Sequence, residues 1–180
     1  MTIRRTDGVA IVGFGATFPA APDADAFWRL VSEGRDAVTD VPPGRWPLEP
    51  ARAYDPEVAR PDRVYTTRGA FLPDDALTVD ARGLDVDPAL VDRLDPAFRL
   101  ALRTAAEAWR SARTEALDRS RVGVIFGHIV LPTDTTSALT RATIGRAVES
   151  ALGVSPSEGP EFEPRNAFPA GSPARLVAQA

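Results

Sequence analysis

Two short stretches hold residue types that could do chemistry. One is Gly13-Phe14-Gly15, which follows the apolar run Val9 to Val12; the other is Gly127-His128-Ile129, which follows a second apolar run and contains the single histidine of the 180 residues. A glycine pair after a buried strand lets backbone N–H groups approach a pyrophosphate, with the helix N-terminus completing the anion site. The third glycine of that fingerprint would fall at position 18, where Phe18 precedes Pro19, and the following helix starts only near Asp23. A bulky ring and a missing donor stand where the cradle would be, so the glycines read as a tight exit from a strand rather than a nucleotide site. His128 reads in two ways: as the lining of a pocket at the end of a strand, or as an imidazole satisfied there by backbone groups.

Other chemistries are excluded by residue type. The chain has no cysteine, which removes disulfides, thiolate zinc sites and a cysteine nucleophile from these residues. One histidine is a poor basis for a metal centre, and no bound cofactor is expected. The nearest approach to a nucleophile elbow, Ala170-Gly171-Ser172-Pro173-Ala174, lacks the second glycine. With 21 basic against 25 acidic side chains and a net charge of -4, the chain has no positive field for nucleic acid or an anionic membrane. No apolar run approaches a membrane span, nor does the N-terminus read as a signal peptide, and a cytoplasmic location is expected.

The elements that must position these residues follow from pattern. Val9 to Val12 and Arg121 to Gly127 are nearly continuous apolar runs, as interior parallel strands are. Asp23 caps a helix with Phe27, Leu30 and Val31 on one face and Gly34 at its stop. From Asp36 to Leu72 prolines break the pattern, and Val64 to Leu72 has the content of a hairpin or edge strand. Asp87-Pro88 and Asp95-Pro96 each start a helix, and the second presents Phe98, Leu102, Ala105, Trp109 and Ala112 as its buried stripe. Leu131-Pro132-Thr133-Asp134 leads into a third long helix with Asp134 as cap, Ile144, Val148 and Ala151 on one face, and Gly153 at its end. A last helix starts with Ser172 as cap and Pro173 at the first position, then stops without the usual closing residues, as though cut inside a larger fold. The order suggests a layered α/β domain with too few strands for a complete sheet.

The succession of landmarks resembles the N-terminal part of β-ketoacyl synthase domains of type I polyketide and fatty acid synthases. The matching residues are 10 to 19 (AIVGFGATFP), Phe27-Trp28 with 34 to 38 (GRDAV), Pro43-Gly44-Arg45-Trp46, Tyr54-Asp55-Pro56, 68 to 72 (RGAFL), 94 to 100 (LDPAFRL) and Arg121-Val122-Gly123-Val124. Departures are Ala70, where the family usually has a second glycine, and Ala97 and Phe98, where many members carry two glutamines. From Leu131 to Gly153 the chain is more similar to ketosynthases of multifunctional synthases that make polyunsaturated or glycolipid-type chains.

The resemblance implies a thiolase-like layered α-β-α-β-α fold, of which residues 1–180 are part of the N-terminal half, with no separate second domain. It implies decarboxylative Claisen condensation of an acyl thioester with a malonyl unit, both carried on the phosphopantetheine of an acyl carrier protein. The expected partners are that carrier protein, a second copy in a homodimer, and other synthase domains. In the family a cysteine at a helix N-terminus takes the acyl chain and two histidines assist decarboxylation, all downstream of the position matching Ala180. The 180 residues alone are therefore expected to be inactive, with no catalytic residue among them, and Gly127, His128 and Ile129 are expected to line the acyl pocket. The competing expectation is a non-catalytic docking or scaffold module of a synthase complex.

Overall fold

A computed structural model describes residues 8–57, 60–129, 131, 133–155, 162–169 and 171–180. Pro132 and Ala170, which the sequence places ahead of two helices, lie outside the described residues. The chain divides into two compact units, Ala16–Ala76 and Met1–Gly15 with Leu77–Ala180.

In the Ala16–Ala76 unit the chain first reverses direction, Phe18 and Ala21 exchanging backbone hydrogen bonds of 2.8 and 3.0 Å. Helix α1 (Ala24–Ser32) starts where the Asp23 carboxylate accepts from Ala26 N at 2.7 Å, and it is closed by Gly34 at φ +63, a conformation that disfavours a side chain. The expected buried face of α1 is not the observed one. Ala26 is buried, whereas Phe27, Trp28 and Val31 are exposed, because no described residue offers them an opposing apolar surface; the Phe27 ring rests instead on Phe18, 4.3 Å between centroids. Strand β1 (Thr39–Asp40) pairs antiparallel with β2 (Arg68–Gly69), Thr39 opposite Gly69. The edge strand expected in Val64 to Leu72 is thus only two residues long. Between them, helix α2 (Pro50–Ala53) ends in a parallel bridge from Tyr54 to Val64, with Asp55 N donating to Val64 O and Val64 N to Ala53 O, both at 2.9 Å.

The second unit is built on helix α3 (Pro88–Val91), helix α4 (Pro96–Ser111) and the final helix of the chain. Both α3 and α4 start on an Asp-Pro pair as expected: Asp87 Oδ1 accepts from Ala89 N at 3.0 Å and Asp95 Oδ1 from Ala97 N at 2.9 Å, while the proline needs no N–H partner. Leu90, Leu94 and Phe98 form one buried cluster closed by Leu176. Burying side chains of this size contributes roughly 1.5–3 kcal/mol each. Along α4 the buried line runs Phe98, Leu102, Ala106, which corrects the expected path through Ala105 and Trp109. Residues spaced by four form a ridge inclined to the helix axis, which can pack into the groove of a neighbouring helix. Trp109 is left half-buried, with the Arg119 guanidinium 5.5 Å from its ring centroid.

The long helix after Thr133 comprises α5 (Asp134–Thr140), a π turn (Arg141–Gly145) and α6 (Arg146–Ala151), with Gly153 at φ +66 beyond its end. Its cap is Thr133 rather than Asp134, which is the first helical residue. Threonine at this position closes a capping box with Thr136: Thr133 N donates to Thr136 Oγ1 at 2.7 Å and Thr136 N to Thr133 Oγ1 at 3.2 Å. Ile144 and Val148, expected to face a core, are exposed. In helix α7 (Ser172–Gln179) the cap is Gly171, without a side-chain hydrogen bond, and Ser172 already lies inside the helix.

The largest correction concerns the two apolar runs. Among the described residues neither Val9 to Val12 nor Val122 to Gly127 forms a strand, and Val9, Ile11 and Ile125 are 102%, 89% and 94% exposed. A run this apolar holds as an interior strand only with ladders on both edges and cover on both faces. Among the described residues no strand or bridge pairs with either run to supply them.

Candidate functional site

Gly13-Phe14-Gly15 is a crossing over α4. A Cβ on Gly13 would lie 2.6 Å from Ala108 O and 2.8 Å from Ala112 Cβ, and one on Gly15 would collide with Thr104 O and Ala108 N. Between the glycines, Phe14 N donates to Ser111 Oγ at 3.0 Å. Both glycines are needed because two backbones approach closely, and the donor that a phosphate would use is already engaged by a serine. The architectural reading of this turn therefore has a specific cause in α4.

Asp95 is a buried carboxylate with several partners. It is 2% exposed, and each carboxylate oxygen is used. Oδ1 caps α4; Oδ2 accepts from Thr133 Oγ1 at 2.6 Å and from Thr135 Oγ1. Its own N–H donates to Asn166 Oδ1 at 2.8 Å, and Asn166 Nδ2 donates to Arg93 O at 3.0 Å. Asn166 sits in a 3-10 turn (Pro164–Ala167) and is equally buried. One carboxylate thus ties the start of α4 to the start of α5 and, through its backbone, to a turn some seventy residues away. A buried carboxylate holds such a position only when its lone pairs are filled, and two hydroxyls and an amide fill them here.

Asp95 as a helix cap is legible from the Asp-Pro pair. Its partners Thr133, Thr135 and Asn166 are not. The available signal is the hydroxyl-rich run Thr133-Asp134-Thr135-Thr136 ahead of a helix, which announces a cap without saying what else its hydroxyls reach.

Gly127, His128 and Ile129 are all exposed. Among the described residues the His128 imidazole has no hydrogen-bond partner. Nor do the described residues contain a group of three or more His, Asp or Glu side chains placed to hold a metal ion. No described helix is long and apolar enough to cross a membrane.

Residues 6–158 match the family model described as Beta-ketoacyl synthase, N-terminal domain. Among curated proteins, Polyketide synthase 2 of Metarhizium anisopliae is 36% identical over 126 residues, which is 67% of this chain. The Phenolphthiocerol synthesis polyketide synthase type I Pks15/1 of Mycobacterium bovis is 40% identical over 128 residues, or 69% of the chain. The chain spans 6% of the length of each. Among solved structures, the PfaC Keto synthase-Chain length factor matches 95% of this chain and 19% of its own, with a TM-score of 0.78 at 25% identity. The oxazolomycin ketosynthase domain OzmH KS7 of Streptomyces albus JA3453 matches 96% of this chain and 27% of its own, with a TM-score of 0.58 at 26% identity.

Proposed function

This chain belongs to the beta-ketoacyl synthase family through its N-terminal domain and has part of the thiolase-like α/β fold; on that premise, we propose that it forms the leading part of a condensing enzyme that works in polyketide or fatty acid synthesis. The observation that carries this reading is the match over residues 6–158 in a chain with no cysteine. The fold is the family's, and the nucleophile belongs to residues outside these 180.

In the reaction proposed, a cysteine thiolate attacks the acyl thioester delivered by an acyl carrier protein and releases the carrier's thiol. The malonyl thioester on a second carrier then loses carbon dioxide. The resulting enolate carbon attacks the enzyme-bound acyl group, expelling the thiolate and leaving a β-ketoacyl thioester on the carrier. The present residues would contribute framework and pocket: Gly127, His128 and Ile129 would line the acyl channel, close to the contact with a second copy of the chain. Carrier protein, homodimer partner and neighbouring synthase domains are the partners this reading requires, and the cytoplasm is where it places them.

The test is to express the complete reading frame that contains this chain and incubate it with acyl- and malonyl-loaded carrier protein. A β-ketoacyl carrier product two carbons longer, lost when the candidate cysteine is replaced by alanine, is the expected result. If the frame encodes no cysteine and no product forms, condensation by this polypeptide is overturned. The absence of cysteine from the chain favours one other reading, a docking or scaffold module, and retention of the 180-residue chain by a catalytically complete ketosynthase or a carrier protein would then support it.

A further inference from the structure

We infer that α5 and the 3-10 turn Pro164–Ala167 form one detachable flap, latched to α4 by the Asp95 network and released from it only together. From Leu131 to Pro169, Asn166 is the one buried residue among those described. The apolar burial of this unit runs instead from Leu90 to Ala106, in α3 and α4, with Leu176 packed against it. What holds α5 and the turn to α4 is therefore chiefly polar.

Both pieces end on the same residue. Asp95 Oδ2 accepts from Thr133 Oγ1 at 2.6 Å and from Thr135 Oγ1, which fastens the first turn of α5. The Asp95 N–H donates to Asn166 Oδ1 at 2.8 Å while Asn166 Nδ2 donates to Arg93 O at 3.0 Å, which fastens the 3-10 turn. Glu163, just ahead of that turn and with its side chain 10% exposed, adds an ion pair to Arg93 at 3.5 Å. Thr133 and Thr136 complete the capping box without Thr135, so the Thr135 hydroxyl serves the attachment to α4. α5 also packs directly on the turn, and water admitted by the departure of one reaches the bonds of the other. Apolar contact is lost by degrees, whereas each orphaned member of a buried polar network carries its full desolvation cost, so the latch opens as a whole. It opens below the free energy needed to open α3 and α4, which the apolar cluster holds as well.

The experiment is amide hydrogen exchange on the dilute 180-residue chain at rising urea, below the unfolding transition. The amides of Ser137 to Thr140 in α5 and of Asn166 in the turn should converge on one common opening, and those of Leu102 to Ala106 in α4 should exchange about tenfold more slowly. Separate openings for the two segments, or one opening shared with α4, overturn the flap. Thr135→Val keeps the capping box and the side-chain shape but removes one donor to Asp95. It should speed exchange about threefold or more at Asn166 as well as in α5, with α4 changed less than about twofold and Thr135→Ser close to the parent. Asn166→Ala, which cuts the latch from the other side, should loosen α5 in the same way. A variant that loosens only its own segment overturns the coupling. Should neither variant fold, the exchange of the parent chain decides by itself, through whether the two segments open together.

Discussion

Gly13 approaches α4 so closely that a Cβ on it would stand 2.6 Å from the carbonyl oxygen of Ala108. That distance is well inside van der Waals contact, and the neighbour is main chain, which cannot swing away as a flexible side chain would. Gly13→Ala should therefore lower the stability of the 180-residue chain by about 1–3 kcal/mol, the usual cost of overpacking. Gly123→Ala, where nothing lies within 4 Å, should be near neutral. Denaturant titration of the two variants checks this, and equal losses would contradict it.

The core is small and unequal. Phe98 is 2% exposed and joins Leu90 and Leu94 against Leu176, so Phe98→Ala should cost about 3–5 kcal/mol. Trp28, a larger ring, is 69% exposed, and Trp28→Ala should change stability by less than about 0.5 kcal/mol. Thermal melts of both variants decide whether burial or side-chain size sets the loss.

The exposed runs predict behaviour in solution. Val9, Ile11, Val12 and Ile125 present apolar surface with unpaired backbone beside it, a combination that pairs readily with other chains. The 180-residue chain should bind an apolar fluorescent dye and self-associate as concentration rises. Combining Ile11→Lys with Ile125→Lys should reduce both several-fold with little change in the melting transition. A large loss of stability instead would mean that these side chains are packed in solution.

Asp80 provides a pH prediction. The Arg82 guanidinium grips its carboxylate through Nε and Nη2, both at 2.8 Å, and Arg82 N adds a backbone hydrogen bond, holding the Asp80 pKa well below the usual carboxylate range. A group whose folded pKa is depressed contributes stability above its unfolded pKa and loses it as pH falls through the folded value. The pair lies in solvent, so its effect on stability should be small. On acidification, carboxyl NMR resonances should show Asp80 protonating at a pH below the usual carboxylate range, and Arg82→Ala, which removes the guanidinium but keeps the backbone N–H, should move it up toward that range.

Local chemistry was legible from sequence: the Asp23, Asp87 and Asp95 caps, the helix stops at Gly34 and Gly153, and the family through its ordered motifs. These depend on residues within a few positions of one another, where the backbone's unsatisfied N–H groups and the steric freedom of glycine decide the outcome. Tertiary structure decided what depends on distant neighbours. Ala106 rather than Ala105 is buried, in line with Phe98 and Leu102, which depends on what lies over that face and not on the helix's own sequence. Thr133 and Asn166 meet Asp95 across 38 and 71 residues, a convergence that no local pattern encodes. The apolar runs at Val9 and Ile125 show the same division: composition marks them as strand material, but a strand exists only where another backbone completes its hydrogen bonds, and none of the described residues does so.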